Sequence, residues 1–346
     1  MLVGAYSDGT TSGISVYDFN TLTGDFEYLN DIKGVINPSY LVVSPDEQFI
    51  YSVNETSDGA VSAFRFDKPS AAFRFLNTQP TLGADPCFIH INKEKTFIVT
   101  ANYSGGSLSV FPLNEDGTIK PIAQSIRMNV AAEEVKSPVS HIHTVAFSPD
   151  ETWLLATDLG KDKIYKFNIQ PGASETFLIQ DKAKTTDLEP GSGPRHLAFH
   201  PNGKYIYSIN ELAGTVAAFE QVNGQLSAIQ YIASDTTSGT RKKGSADIHI
   251  SADGKFLYAS NRLKADGIAI FSINPENGKL TSAGYQKTGI HPRNFILSPN
   301  GKFLLCANRD SNNIQVFAVN PETGLLQDTG KIIQTNKPVC LKWVGK

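Results

Sequence analysis

The chain has 346 residues, with 31 Lys and Arg against 34 Asp and Glu, so its formal net charge is −3. This small acidic balance argues against nucleic acid and against an anionic membrane as partners. No apolar run approaches the roughly 18 residues of a transmembrane helix. The 3 cysteines are an odd number and indicate free thiols rather than a disulfide framework. We expect a cytoplasmic protein, or an exported one if a signal peptide has been removed.

The first predicted elements lie at 2–19, where LVGAYSDGTTSGISVYDF has two short apolar segments around a turn. From residue 44 onward one pattern recurs six times at a spacing of about 50 residues, the length of a propeller blade. Each copy has an aromatic residue five positions after its start and Asn or Asp ten positions after it. The copies start at Ser44, Asn92, Ser148, His200, Ser251 and Ser298. Their β-branched and aromatic runs between Gly, Asn and Pro predict strands and turns.

The fourth copy illustrates the four strands, a to d, that we predict in every unit. Strand a spans 196–200, strand b 205–210, strand c 215–219 and strand d 226–233. The turns PNGK and VNG between them supply residues that adopt positive φ, as hairpin turns require. One longer connection, 125–142, precedes the third unit; it is either a lid over a pocket or a surface excursion.

The last predicted element, KPVCLKWVGK at 337–346, contains a single strand a with no further strand after it. The segment 2–19 is complementary, since it contains strands b and c with no strand a before them. Pairing the two leaves no open sheet edge in the ring. We therefore predict an all-β, seven-bladed β-propeller of four-stranded antiparallel blades, closed by the N- and C-terminal strands in one shared blade, with residues 1–346 as a single domain.

Two columns of the repeat meet on one face of such a disc, because strand a begins where the antiparallel strand b ends. Five residues before each start the column contains Ser39, Cys87, His143, Arg195, Ala246 and Arg293, with Val339 from the C-terminal strand. Eleven residues after each start it contains Glu55, Tyr103, Leu159, Glu211, Arg262 and Arg309. The residue types differ from blade to blade, which is expected of a binding site because a ligand lacks sevenfold symmetry.

The charged members of this ring predict a site for a small anion. Guanidinium groups bind carboxylate and phosphate bidentately, and a Glu or His beside them can transfer a proton. The ring supplies His143, Arg195, Glu211, Arg293, Arg262 and Arg309 as candidates. His141, His196, Asp247 and His249 lie close by in sequence and are further substrate-binding candidates. The alternative is that these charges are solvated or paired with one another.

Other chemistries have less support in the sequence. His141 and His143 could share a metal ion, but no third ligand motif such as HExxH accompanies them, so we predict no metal. No GxSxG elbow, phosphate-binding loop or dinucleotide fingerprint occurs, so we predict no nucleotide cofactor.

Three segments resemble the lactonase family of seven-bladed propellers, which includes propeller-type 6-phosphogluconolactonases and fungal carboxy-cis,cis-muconate cyclases. The segments are GPRHLAFHPNGKYIYSINE at 193–211, ADIHISADGKFLYASNR at 246–262 and HPRNFILSPNGKFLLCANRDSNNIQVF at 291–317. The resemblance extends over essentially the whole chain. It implies an active site of His, Arg, Glu and Arg, and the matching motifs place these at His143, Arg195, Glu211 and Arg293.

The resemblance implies hydrolysis of 6-phospho-D-glucono-1,5-lactone to 6-phosphogluconate. We expect no cofactor, and a monomer or weak homodimer. In that reaction Glu211 or His143 would activate water, Arg195 would stabilise the oxyanion, and Arg293 with Arg262 or Arg309 would hold the phosphate. Two alternatives remain. One is a carboxymuconate-type lactonising cyclase with the same ring, and the other is a non-catalytic propeller that binds a small anion or a protein partner.

Overall fold

The computed structural model describes residues 1–128, 139–170, 172, 176–237 and 243–345. Within these residues the strands form seven antiparallel sheets, and no helix is long and apolar enough to cross a membrane. Residues 129–138, at the centre of the segment considered as a lid, lie outside the described residues.

Blades 1 to 6 follow one another along the chain, and blade 7 combines strands from both ends. The strands before and within the first three blades are β1 (Leu2–Ala5), β2 (Ile14–Phe19), β3 (Phe26–Ile32), β4 (Leu41–Val43), β5 (Phe49–Asn54), β6 (Ala60–Asp67), β7 (Ala72–Pro80), β8 (Pro86–Ile91), β9 (Phe97–Asn102), β10 (Ser107–Pro112), β11 (Gln124–Arg127), β12 (Ile142–Phe147), β13 (Trp153–Asp158), β14 (Lys163–Ile169), β15 (Leu178–Gln180) and β16 (Thr186–Asp187). A short 3-10 helix, Lys182–Lys184, lies between the last two.

The remaining strands complete blades 4 to 7. They are β17 (Pro194–Phe199), β18 (Tyr205–Asn210), β19 (Thr215–Val222), β20 (Gln225–Ala233), β21 (Ser245–Ile250), β22 (Phe256–Asn261), β23 (Gly267–Ile273), β24 (Leu280–Lys287), β25 (Pro292–Leu297), β26 (Phe303–Asn308), β27 (Asn313–Val319), β28 (Leu326–Gln334) and β29 (Pro338–Lys342). In blade 4, strand b has the predicted limits, whereas strand a begins two residues earlier, at Pro194, than we predicted.

Blade 7 closes the ring as predicted, with the sheet order β29-β1-β2-β3. The C-terminal β29 is its innermost strand and pairs antiparallel with β1, with Leu2 opposite Lys342 and Gly4 opposite Cys340. Blade 3 departs from the four-strand plan, because the two-residue β16 also pairs with β14. The predicted seven-bladed, all-β fold is confirmed.

The apolar core lies between neighbouring blades. Tyr207 of blade 4 packs with Leu257 and Phe271 of blade 5 in one buried cluster, and the exposed fraction of each of these side chains is 1% or less. In five of the six copies the aromatic residue five positions after the start contacts a glycine in the turn between strands c and d of the next blade, as Tyr205 does with Gly278. Phe97 is the exception, because a Cβ at Gly172 would have no described atom within 4 Å. The cysteines Cys87, Cys306 and Cys340 are buried and unpaired.

Candidate active site

The upper face of the disc, where strands a begin and strands b end, carries the predicted ring. A repeated backbone hydrogen bond joins the two columns of the ring. The residue that follows strand b donates its N–H to a backbone carbonyl oxygen, which belongs to the residue two positions before the strand-a member of the ring. Glu211 donates to Gly193 O at 2.7 Å, Arg262 to Gly244 O at 3.1 Å and Arg309 to His291 O at 3.0 Å. This repeated bond brings the two columns together at the mouth of the central channel.

Gly193 is required at its position in this arrangement. Its φ is +64°, in the left-handed region that favours glycine. A Cβ at residue 193 would lie 2.5 Å from Cγ of Leu212, the residue after Glu211. The Gly-Pro-Arg-His motif therefore needs glycine at residue 193, because the backbone has positive φ there and the side chain of Leu212 packs closely against it.

Glu211 lies between two arginines from neighbouring blades. Its Oε2 is 2.9 Å from Arg195 Nε and 3.0 Å from Arg262 Nη2. The contact with Arg195 is an ion pair without a hydrogen bond, since the Nε–H of Arg195 has no aligned acceptor among the described residues. The side chain of Glu211 is 23% exposed, whereas that of Arg195 is only 2% exposed. Solvent can therefore reach the carboxylate but not the guanidinium behind it.

The charges around Glu211 determine its protonation. Burial acts to raise the pKa of Glu211, but the nearby Arg262, Arg195 and Arg293 outweigh it and lower the pKa below its ordinary value. Glu211 is therefore a carboxylate at neutral pH. It is available to accept a hydrogen bond from a water molecule or a substrate hydroxyl.

A second carboxylate, Glu55, faces the ring from blade 1. Its Oε1 accepts a hydrogen bond of 2.9 Å from the Tyr6 hydroxyl, and its Oε2 has no hydrogen-bond partner in the described part of the chain. Arg293 Nη2 is 3.7 Å from this Oε2, and the guanidinium carbon lies 5.4 Å from the centre of the Tyr6 ring. Burial raises the pKa of Tyr6 to about 12, so Tyr6 remains a phenol. The nearby Glu55 also raises this pKa, whereas Arg293 lowers it.

Tyr6 is a ring residue that the sequence reasoning missed. It directly follows β1, the strand b of blade 7, and its N–H bonds to Lys337 O at 3.1 Å in the same way as Glu211 bonds to Gly193. Tyr6 is therefore the seventh member of the second column. Extending that column to the N-terminal strands would have found it, but counting from the start of a repeat fails in blade 7, whose strands are separated in sequence.

His143 lies in the channel beside these groups. It is 4% exposed, and its ring packs edge-on against Tyr103 and His196, with centroid distances of 5.7 and 5.1 Å. Its Nδ1 is buried without a hydrogen-bond partner among the described residues. Burial, Arg195 and His196 hold the pKa of His143 well below its ordinary value, so the ring is neutral.

The other predicted residues lie at different depths. His141 stacks on Tyr103 at 4.5 Å near the upper mouth, and Arg309 pairs with the neighbouring Asp310. His196 and Asp247 are buried below Arg195. His249 lies farther down and lines a cavity of about 370 Å³ together with residues at the lower ends of strands a, such as Phe147 and Phe199. The structure thus brings Arg195, Glu211 and Arg262 together, but places His249 toward the opposite mouth of the channel.

The upper mouth can bind an anion and hold a reactive water. Arginines surround a solvent-accessible carboxylate, and a neutral imidazole lies beside them, so proton transfer to or from a bound anionic molecule is chemically reasonable. Within the described residues, no three His, Cys, Asp or Glu side chains are grouped as ligands of one metal ion would be.

The chain is similar to several known proteins over nearly its whole length. It is 42% identical to a 6-phosphogluconolactonase of Formosa agariphila, and the match covers 94% of each chain. A crystal structure from Bacteroides fragilis is 51% identical, with a TM-score of 0.93 and coverage of 99% of this chain and 97% of the other. The periplasmic gluconolactonase PpgL of Pseudomonas aeruginosa is 32% identical, with a TM-score of 0.92 and coverage of 99% and 98%. The family described as Lactonase, 7-bladed beta-propeller matches residues 1–343, and the chain belongs to this family.

Proposed function

We propose that the chain is a 6-phosphogluconolactonase, which hydrolyses 6-phospho-D-glucono-1,5-lactone to 6-phosphogluconate in the pentose phosphate pathway. The observation that carries the proposal is the ionised Glu211 between Arg195 and Arg262 at the mouth of a lactonase-family propeller. The name of the Formosa agariphila relative supports the same substrate. A phosphorylated sugar substrate favours a cytoplasmic location.

Hydrolysis requires a water molecule to attack the carbonyl carbon C1 of the lactone. The ester bond between C1 and the ring oxygen then breaks, the ring oxygen takes up a proton to become a hydroxyl, and the product carboxylic acid loses a proton. We assign the base to Glu211, because its carboxylate is ionised and 23% exposed to water, whereas His143 Nδ1 is buried. An anion bound to the arginines would weaken their effect on Glu211 and raise its pKa, which makes Glu211 a better base when substrate is present.

Two arginine roles complete the proposed mechanism. Arg195 is buried behind Glu211 and held from several sides, so its positive charge can stabilise the developing oxyanion electrostatically, without direct contact and without reorganising. Arg293 has its nearest described carboxylate oxygen at 3.7 Å and faces the same mouth, so we assign it to the phosphate.

The proposal is tested by initial rates on freshly generated 6-phosphoglucono-1,5-lactone, with spontaneous hydrolysis subtracted. We expect Glu211→Gln to lower kcat by about 100-fold or more with little change in KM, because the amide cannot accept the proton. Glu220→Gln, on the exposed part of β19, is the matched control and should behave as wild type. A wild-type rate at background would overturn the function. Normal kinetics for Glu211→Gln would overturn only the assignment of the base, and His143→Gln would then be measured.

A second candidate substrate is an unphosphorylated aldonolactone. The name gluconolactonase of the Pseudomonas aeruginosa relative, which shares 32% identity, favours it. Rates on glucono-1,5-lactone measured beside the phosphorylated lactone separate the two candidates. If kcat/KM is higher for the unphosphorylated lactone, the phosphate assignment is wrong while lactone hydrolysis stands.

A further inference from the structure

A buried carboxylate, that of Asp247, lies below the upper ring and accepts hydrogen bonds from residues of three blades. Asp247 of β21 is 2% exposed. Its Oδ1 accepts hydrogen bonds from His196 Nδ1 at 2.7 Å and from the Ile248 N–H at 3.0 Å. Its Oδ2 accepts from His249 Nε2 at 3.1 Å, from the Phe295 N–H at 3.2 Å and from Asn294 Nδ2. These donors come from blades 4, 5 and 6, so Asp247 is fully bonded inside the channel.

Asp247 is an anion despite its burial. Burial acts to raise its pKa, but His249 and His196, which donate hydrogen bonds to it, bring the pKa well below the ordinary value. All of its acceptor capacity is directed at protein groups. Asp247 is therefore not available to contact a substrate, although the sequence placed it among the substrate-binding candidates.

His196 links this carboxylate to the candidate active site. Its ring is 5% exposed, and burial together with Arg195 lowers its pKa to about 4, so it is neutral at pH 7. Arg195 Nη1 lies 3.2 Å from His196 Nε2, and a guanidinium can only donate. Nε2 must therefore hold the lone pair and Nδ1 the proton, which is the tautomer that the bond to Asp247 favours.

Arg195 in turn has a fixed orientation. Its Nη1 donates both to His196 Nε2 and to the carbonyl oxygen of Ala246, while its Nε lies 2.9 Å from Glu211 Oε2. An uninterrupted series of polar contacts thus runs from Asp247 through His196 and Arg195 to Glu211. The opposite tautomer of His196 would present an N–H to the Arg195 N–H and remove one of the contacts that orient the guanidinium.

We propose that Asp247 and His196 are positioning residues that hold Arg195 against Glu211 by fixing the tautomer of His196. This inference rests on the proposed lactonase function, in which Arg195 stabilises negative charge in the transition state. In this arrangement Asp247 and His196 act through Arg195 and not by binding the substrate themselves.

The first test observes the tautomer and is independent of lactonase activity. Protein labelled with ¹⁵N in its histidines is studied by NMR at pH 7, where long-range nitrogen–proton couplings distinguish the two neutral tautomers and the imidazolium. We expect His196 to be neutral with its proton on Nδ1, and the Nδ1–H signal is assigned by its loss in His196→Gln. A proton on Nε2, or a protonated ring, would overturn the inference whether or not the lactone is a substrate.

The second test is a double-mutant cycle with Arg195→Lys. His196→Leu removes the acceptor for Arg195, and we expect it to lower kcat by about 10- to 100-fold with little effect on KM. His196→Gln keeps an oxygen acceptor near the Nε2 position and should retain more of the activity. In the Arg195→Lys background, His196→Leu should cause no further loss. Additive effects, or equal losses in the Leu and Gln variants, would show that His196 does not act through Arg195.

A stability control separates positioning from folding. His200 is also buried, at the lower face, where its Nε2 is 3.0 Å from the carbonyl oxygen of Gly254. We expect His200→Gln to lower Tm without changing kcat. If His200→Gln also lowered kcat, and if the loss of kcat followed the loss of Tm in both His200→Gln and His196→Leu, a purely structural role for His196 would be the correct explanation. If wild type lacks activity but shows the expected tautomer, only the proposed function fails.

Discussion

At the scale of single residues, the arginines of the upper ring differ in how far their charge is already compensated. Arg195 and Arg262 both contact Glu211 Oε2, and each also donates to a backbone carbonyl. Arg293 is 3.7 Å from Glu55 Oε2, which is too far for a hydrogen bond. Arg293 therefore has the greatest remaining capacity to bind an anionic group of a substrate.

This difference predicts that Arg293→Ala acts mainly on binding. We expect KM for the phosphorylated lactone to rise by about 10- to 100-fold with a much smaller change in kcat, because the phosphate is bound equally in the ground and transition states. Steady-state kinetics beside Arg74→Ala, an exposed arginine of β7, provide the measurement and its control. A fall in kcat at unchanged KM would instead assign Arg293 to the reacting centre.

At the scale of the blade, the repeated aromatic residue and the glycine of the following blade form one inter-blade contact. Gly278, in the turn between β23 and β24, has φ +68°, and a Cβ there would lie 2.5 Å from Tyr205 Cδ1. Its carbonyl oxygen accepts a 2.8 Å hydrogen bond from the Tyr207 hydroxyl. Blades 4 and 5 are thus joined by a turn that has no room for a side chain.

The contact predicts a large difference between two glycine substitutions with the same backbone geometry. Gly301 has φ +69°, and a Cβ there would have no described atom within 4 Å, so Gly301→Ala should cost only the backbone strain, about 1–2 kcal/mol. Gly278→Ala should lower the free energy of unfolding by about 1–3 kcal/mol more, because the new methyl group overpacks against Tyr205. Chemical denaturation of both variants checks this order. Equal losses of stability would show that the blade interface adjusts without cost.

At the scale of the whole molecule, local patterns predicted the fold because each blade repeats the same strands and turns within about 50 residues. The ring of charged residues followed from the same register. The sequence could not show which partners each side chain chooses. Arg309 pairs with the adjacent Asp310, and Glu211 pairs with arginines of two blades. Both choices depend on side-chain geometry, which the residue pattern does not encode, and one partner of Glu211, Arg262, comes from the next blade.

The channel also makes the stability of the whole ring depend on pH. The pKa values of His90 and His196 are lowered to about 4 and that of His291 to about 3, in each case chiefly by burial, and the pKa of His143 is well below its ordinary value for the same reason. In the unfolded chain these histidines titrate near 6.5. Between pH 6.5 and about 4 the unfolded state therefore binds more protons, and stability falls as the pH falls.

We expect Tm to fall as the pH falls from 8 to 4.5, gently above pH 7 and steeply below pH 6.5, with unfolding near pH 5 taking up about four protons, one for each of these histidines. His90 is distant from the upper ring and stacks on Phe147 at 4.4 Å, so His90→Phe preserves the packing and removes one titrating group. Its unfolding should take up about one proton fewer at pH 5. Calorimetry across this range provides the measurement, because the dependence of Tm on pH, combined with the unfolding enthalpy, gives the proton uptake. A Tm that does not change between pH 6.5 and 5 would mean that the channel histidines are solvated and titrate normally in the folded protein.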